Sequence, residues 1–181
     1  LGNPIGKQDQ YAAAFGGLNH IKFLQSGRVE IDHLVLRNGL VDLIFDNTLL
    51  VWTGIQRDAS SILSRQGQGL MEKITCYKSL LSDVAKFKHI LMGAEPDSIQ
   101  MIGELLESTW ATKRKLEDSV SSPLIDDIHN QIRSMGGYGG KISGAGGGGF
   151  LLEIVPAARH SEILRHFGSD RVLKVAHEPL G

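Results

Sequence analysis

Apolar positions fall in short strand-like clusters over the first third of the chain, then recur at three- and four-residue steps. After a loop marked by Pro4 and Gly6, KQDQYAAAFGG carries good helix formers and a double-glycine stop at Gly16 and Gly17. HIKFL and VEIDHLVL are rich in apolar and β-branched residues and are separated by QSGR, a turn signal, so they predict a hairpin. TLLVWTG is a nearly continuous apolar run and predicts a buried strand ending at Gly54. From Asp58 the period changes. Asp58 or Ser60 caps a helix running to about Arg65. A longer helix follows from Glu72 to Met92, with Ile74, Tyr77, Leu81, Val84, Phe87 and Leu91 on one stripe and Gly93 as the stop. Asp97 and Gln100, behind Pro96, resemble a capping box for the next helix, whose stripe is Ile99, Ile102, Leu106, Trp110 and Leu116. Pro123 sits at a first helical position behind Ser122 and leads Ile125, Ile128, Ile132 and Met135 along one face. The strand FLLEIV, a helix opened by Pro156 and closed by Gly168, and the strand RVLKVAHE complete the chain. Strands, then helices, then strand–helix–strand predict an α+β fold rather than regular βαβ winding.

Between the last long helix and FLLEIV lies GGYGGKISGAGGGGF, fifteen residues holding nine of the 22 glycines. Each ordered glycine costs roughly 0.5–1 kcal/mol relative to alanine, so such a run is either a slack linker or a backbone shaped around something that side chains would block. The flanks KIS and FLLEIV suit a sheet interior, which argues against slack. Neither familiar nucleotide loop fits. A Walker A loop needs Ser or Thr directly after Gly-Lys, and Ile142 follows Gly140 and Lys141. Gly144, Gly146 and Gly149 match G-x-G-x-x-G, but a strand follows them where a dinucleotide site requires a helix N-terminus. Two readings stay open: a tight glycine-rich strand connection without a ligand, or a nest of backbone N–H groups approaching an anion.

Net charge and cysteine content narrow the field. A net charge of -1 supplies no broad electrostatic footprint for nucleic acid or an anionic membrane. Cys76 stands alone, so there is no disulfide framework and a reducing, cytoplasmic setting is expected; near the stripe of a long helix it reads as an inert thiol. No apolar run reaches the length of a membrane span. His20, His33, His89, His129, His160, His166 and His177 show no metal-ligand spacing and are expected at solvated or strand-edge positions; no metal ligand is assigned. The TKRK run at 112–115 reads as a solvated helix end. Asp9, at the start of the alanine-rich helix, is either a cap and dipole partner or a carboxylate that orients a substrate hydroxyl.

The glycine run and the aspartate segment together resemble the GHMP family of small-molecule kinases. KISGAGGGGF is similar to the family's C-terminal glycine motif. GKQDQYAAAFGG is similar to the segment bearing its catalytic aspartate, and VWTGIQRDASSIL also fits. The resemblance runs from about Gly2 to the end and is nearest to the heptose 7-phosphate kinases, then to the fucokinase C-terminal region. It implies the end of an N-terminal domain over residues 1–47 and a ferredoxin-like C-terminal domain with added helices over 48–181. It implies Asp9 as catalytic base or orienting group, Gln8 and Gln10 on sugar hydroxyls, and Gly144, Ala145, Gly146, Gly147 and Gly148 as a loop beside the nucleotide phosphates, flanked by Ser143 and Lys141. Arg57 would meet a substrate phosphate or make a structural ion pair. The implied activity is ATP- and Mg2+-dependent phosphorylation of a sugar or sugar phosphate, foremost D-glycero-D-manno-heptose 7-phosphate at its anomeric position. Fucokinase or galactokinase-like activity and a non-catalytic binding or oligomerising role are the alternatives, and a homodimer stays open. The family's principal phosphate loop, P-x-x-x-G-L-x-S-S-A, is absent, and LGNPIG reads as protein interior. The 181 residues alone are therefore expected not to turn over ATP.

Overall fold

The computed structural model describes residues 6–56, 70–93 and 95–177. Helix α1 (Gln8–Phe15) ends where Gly16 turns to φ 57° and its N–H caps the Ala12 carbonyl at 3.0 Å. Strands β1 (Asn19–Phe23) and β2 (Val29–His33) form the expected hairpin, with Ile21 opposite Ile31. A short helix α2 (Leu40–Asp46) follows, in a stretch to which the apolar pattern assigns no element; buried Leu40 and half-buried Ile44, four residues apart, mark its inward face.

From β3 (Thr48–Trp52) onward the elements are α3 (Leu70–Met92), α4 (Ser98–Arg114), α5 (Pro123–Ser134), β4 (Gly139–Ile142), β5 (Phe150–Ile154), α6 (His160–Phe167) and β6 (Val172–Lys174). The four strands make one antiparallel sheet in the order β4-β5-β3-β6. That order is the split βαβ arrangement of a ferredoxin-like domain, and the described residues of its first crossover include three helices. Both faces of the sheet are covered, which is why TLLVW and FLLEI read as continuous apolar runs. Leu49, Val51, Ile142 and Leu151 face a core built with Trp110, Ile125, Ile128, Ile132, Ile163 and Val172. Ile154 and half-buried Leu152 face a second core with Leu40, Ile90, Leu91, Ile99 and Ile102. Each fully buried isoleucine contributes about 2 kcal/mol.

Helix starts follow local chemistry only in part. Ser122 caps α5 by accepting the Ile125 N–H, with Pro123 at the first helical position. The Asp97 side chain does not cap α4; Gln100 bonds Glu104 at 2.8 Å instead, so the expected capping box does not form. On α3 the expected stripe packs unevenly: Leu91 is buried and Tyr77 and Phe87 half-buried, whereas Leu81 is 71% exposed and Ile74 and Val84 are exposed too. Core contacts gather where α3 meets α2 and α4, and the ion pair of Lys88 with Asp32 ties it to β2. The helix expected from Asp58 to Arg65 lies outside the described residues.

The glycine run divides in two, and its first half serves packing. Helix α4 lies backbone to backbone against the edge strand β4. A Cβ on Gly103 would sit 2.8 Å from Cβ of Tyr138, and one on Gly139 2.5 Å from the Gly103 carbonyl oxygen. Under β4 and β5 this close approach encloses a charged network. His129 Nδ1 and a carboxylate oxygen of Glu153 are 2.8 Å apart, its Nε2 is 3.5 Å from Glu107, and Glu107 pairs with Arg133 at 3.2 Å. Trp110 lies edge-on to the imidazole. Glu153 is 0% exposed, and its second oxygen has no partner among the described residues. His129 and His160 are thus buried rather than solvated or at a strand edge, a correction that follows from their place on helix faces turned to the sheet.

Burial alone would lower the proton affinity of His129, but the hydrogen bond and charge of Glu153, joined by Glu107, outweigh it and raise the pKa above 6.5. Burial likewise raises Glu153. The pair therefore holds a proton more tightly when folded than when unfolded, and stability is lost as pH rises through the raised value. As pH rises above 6.5, the unfolding free energy is expected to fall by up to about 1.4 kcal/mol per pH unit. A His129→Gln variant should lose that slope in urea titrations. An unchanged slope would place the proton elsewhere.

Candidate functional site

The second half of the run, Ser143–Gly149, joins β4 to β5 and is shaped by its surroundings. Gly144, Gly146, Gly147 and Gly149 all take positive φ, which no residue with a Cβ adopts without strain. The loop is pinned from two sides. The Gly147 N–H donates to the Val120 carbonyl at 2.7 Å, and the Gly149 N–H to the Ile55 carbonyl at 2.9 Å. Cβ atoms on Gly146 and Gly148 would lie 2.8 Å and 2.7 Å from those same two oxygens. Thr53 fastens the far end, donating from both its N–H and its hydroxyl to the Gly149 carbonyl. Val120 is itself held in a short 3-10 turn that Glu117 caps. Ser121, bonded to Asp126, continues the support.

With those bonds made, the N–H groups of Gly144, Gly146 and Gly148 have no partner among the described residues. Gly144 is exposed, whereas Gly146 and Gly148 are half-buried, and half-buried amides rarely go unpaired in a folded protein unless water or a ligand meets them. The loop, Trp52, Ile55 and Gln56 enclose an open cleft of about 450 Å³. Trp52 packs against Phe150 at 5.0 Å and supplies an aromatic wall.

Two lysines adjoin the loop. Lys113, at the end of α4, donates to the Gly144 carbonyl at 2.7 Å. Burial and the neighbouring Lys141 ammonium push its pKa down to about 8, and burial also lowers Lys141. The TKRK segment is therefore no solvated helix end. Arg114 stacks over Trp110 and pairs with Asp126 at 3.1 Å, leaving Lys115 exposed. No periodicity in the sequence singled out Lys113. Its position three residues after the stripe residue Trp110 is the only local signal that it sits partly inward.

The aspartate segment lies apart from this cleft. Asp9 is exposed in the first turn of α1, where it complements the helix dipole without capping it. Gln8 lines a different cleft of about 340 Å³, with Lys7, Phe23 and Arg28 of the hairpin. The Gln10 amide, oriented as a donor, reaches the Gly6 and Lys7 carbonyls at 3.1 and 2.9 Å, back across its own helix start. Arg57 lies outside the described residues. The glycine loop with Ser143 thus forms one site, and Gln8, Asp9 and Gln10 form a second surface that does not line it.

Residues 93–170 match the family model described as GHMP kinases C terminal. This segment is a GHMP kinase C-terminal domain. The chain is 30% identical over 167 residues to the D-glycero-alpha-D-manno-heptose 7-phosphate kinase of Campylobacter jejuni, covering 91% of this chain and 48% of that protein. It is 29% identical over 156 residues to the L-fucokinase/L-fucose-1-P guanylyltransferase of Bacteroides fragilis, covering 82% of this chain and 16% of that one. The chain spans about half the length of the heptose phosphate relative. Among solved structures, a D-glycero-D-manno-heptose 1-phosphate kinase from Bacteroides thetaiotaomicron superposes with a TM-score of 0.67 at 24% identity, over 98% of this chain and 47% of that one. The L. major mevalonate kinase in complex with R-mevalonate gives 0.70 at 19% identity, over 94% and 52%. At these identities the likeness establishes the fold, and the GHMP kinase fold is the one in which the pinned glycine loop is set. The family also implies Mg2+. Among the described residues no three His, Cys, Asp or Glu side chains converge as a metal-holding group, so no magnesium ligand is assigned within the GHMP kinase C-terminal domain described here.

Proposed function

We propose that this protein is an ATP-dependent kinase of sugars or sugar phosphates, with the anomeric hydroxyl of D-glycero-D-manno-heptose 7-phosphate as its first candidate acceptor. The observation that carries the reading is the glycine loop. Its two pinned amides hold it open, while those of Gly144, Gly146 and Gly148 have no partner among the described residues and lie beside a cleft with an aromatic wall. Phosphoryl transfer asks a protein chiefly to position its reactants and to stabilise charge spread over the phosphoryl oxygens. Backbone N–H groups fixed before the ligand arrives do this without reorganisation. Asp9 supplies the second element, a carboxylate that orients or deprotonates the accepting hydroxyl. Gln8 and Gln10 beside it have the donors and acceptors that sugar hydroxyls need. The aspartate surface and the loop would act on opposite ends of the transferred group. The relatives named above support the acceptor class, since a heptose 7-phosphate kinase and a fucokinase lead their number.

An ADP-release assay on the protein as its gene encodes it decides the matter. Heptose 7-phosphate, fucose and galactose are offered in parallel with ATP. Turnover is expected with heptose 7-phosphate, giving a product whose new phosphate is acid-labile, as an anomeric ester must be. Turnover with fucose or galactose alone would move the acceptor but keep the reaction. ADP release with none of the three, nor with a wider panel of sugar phosphates, would overturn the reading.

A further inference from the structure

The cations of α4 and β4 are matched unequally. Arg114 has Asp126 at 3.1 Å and the Trp110 ring at 3.9 Å. Lys113 and Lys141, half-buried at the same end of the domain, have no carboxylate partner among the described residues. Burial disfavours the charge on both, and the Lys141 ammonium adds to the effect on Lys113. Lys113 spends one of its three N–H donors on the Gly144 carbonyl, and two remain. Lys141 lies two residues before Ser143, on the same face of β4 as that residue, and Ser143 continues the ladder by donating to the Phe150 carbonyl at 2.8 Å. Ser143 and Gly144 line the cleft. Two desolvated like charges are unfavourable together in the empty protein, and a doubly charged anion between them removes both the repulsion and the desolvation cost.

We propose that Lys113 and Lys141 are a phosphate-binding pair on the Gly144 side of the loop, which receives a phosphate dianion carried by a bound substrate. Phosphate fits better than a carboxylate because its charge matches two ammonium groups and its oxygens also accept from the unspent loop amides. The inference rests on the kinase reading for the identity of the ligand. The dianion belongs either to the nucleotide's phosphate chain or to the phosphate ester of a sugar phosphate, and both present the same chemistry.

Calorimetry on the protein as its gene encodes it separates these sources. The probes are inorganic phosphate, ATP, adenosine, D-glycero-D-manno-heptose and its 7-phosphate, tested with Lys113→Gln, Lys141→Gln and the corresponding arginine variants. Each glutamine variant is expected to weaken inorganic phosphate and at least one of the phosphorylated ligands by about tenfold or more, since one charged hydrogen-bond donor is lost. Adenosine and the free sugar should bind unchanged, and Lys141→Arg should recover most of the loss. A loss confined to ATP assigns the nucleotide phosphates, and one confined to heptose 7-phosphate assigns the ester. Both support the pair. Equal losses for adenosine and the unphosphorylated sugar would mean that the lysines only hold the loop, which overturns the proposal. So would unchanged binding of every probe. Full phosphoryl transfer by a Lys113→Gln/Lys141→Gln double variant would overturn the pair and leave the kinase reading standing. Lysine-dependent phosphate binding in a protein that binds neither ATP nor any sugar phosphate would do the reverse.

Discussion

Replacing Asp9 by asparagine is expected to lower kcat about a thousandfold while leaving the KM for ATP and the thermal midpoint unchanged. Positioned acid–base groups contribute about 10²–10⁴ in rate, and a thousandfold corresponds to about 4 kcal/mol of transition-state stabilisation. Asparagine keeps the shape and the hydrogen-bond acceptor but cannot take the acceptor's proton. Stability should hardly move, because Asp9 is exposed and caps nothing, so folding loses only a dipole interaction of about 0.3–1 kcal/mol. Steady-state kinetics with heptose 7-phosphate and a thermal melt of the same preparation separate the two roles. A loss of less than tenfold in kcat would reduce Asp9 to a partner of the α1 dipole and move the base elsewhere.

The second large effect is on folding. Gly140→Ala should destabilise the domain by about 4 kcal/mol or more, the range reached only by a few mechanisms, overpacking among them. The added Cβ would meet the Leu152 carbonyl oxygen at 2.2 Å and the Glu153 carboxyl group at 2.5 Å. Neither can retreat: Leu152 belongs to the paired strand β5, and Glu153 is enclosed with His129. Gly144→Ala is the control within the same run. Its φ of 64° brings strain of about 1–2 kcal/mol, but the new atom meets nothing within 4 Å. Urea unfolding of the two variants reads the difference directly. Similar midpoints would show that the glycines of β4 are conformational rather than steric in purpose.

That contrast bears on what the glycine run conveyed before folding. Read as letters, GGYGGKISGAGGGGF is one feature with one question attached. In three dimensions Gly139 and Gly140 serve the approach of α4 and the enclosure of Glu153, whereas Gly144–Gly149 shape the site. Composition could not divide them, because the atoms that exclude a Cβ come from Gly103, Val120 and Ile55, far away along the chain.

Local chemistry was legible wherever the partner lay within a few residues. The Gly16 stop of α1, the β1–β2 hairpin, the Ser122 cap of α5 and the inward isoleucines of that helix all follow from neighbouring residues. The likeness to GHMP kinases was legible too, since it rests on short segments in a fixed order. Apart from the Asp97–Gln100 capping box, what failed depended on distant partners. The phase of the α3 stripe is set by where α2 and α4 touch it, so Leu81 and Val84 stay outside although they keep helical spacing with Leu91. His129 looked solvated because Glu153, which raises its proton affinity, arrives from β5.

The sequence by itself determined the helices and strands, the α+β class and the glycine motif, because period and backbone freedom are properties of consecutive residues. Tertiary structure alone decided which glycines line the cleft and that Lys113 and Lys141 adjoin the loop without a carboxylate partner among the described residues. Unpaired amides and unmatched charges are defined by what fails to reach them, and only the folded chain settles what lies within reach.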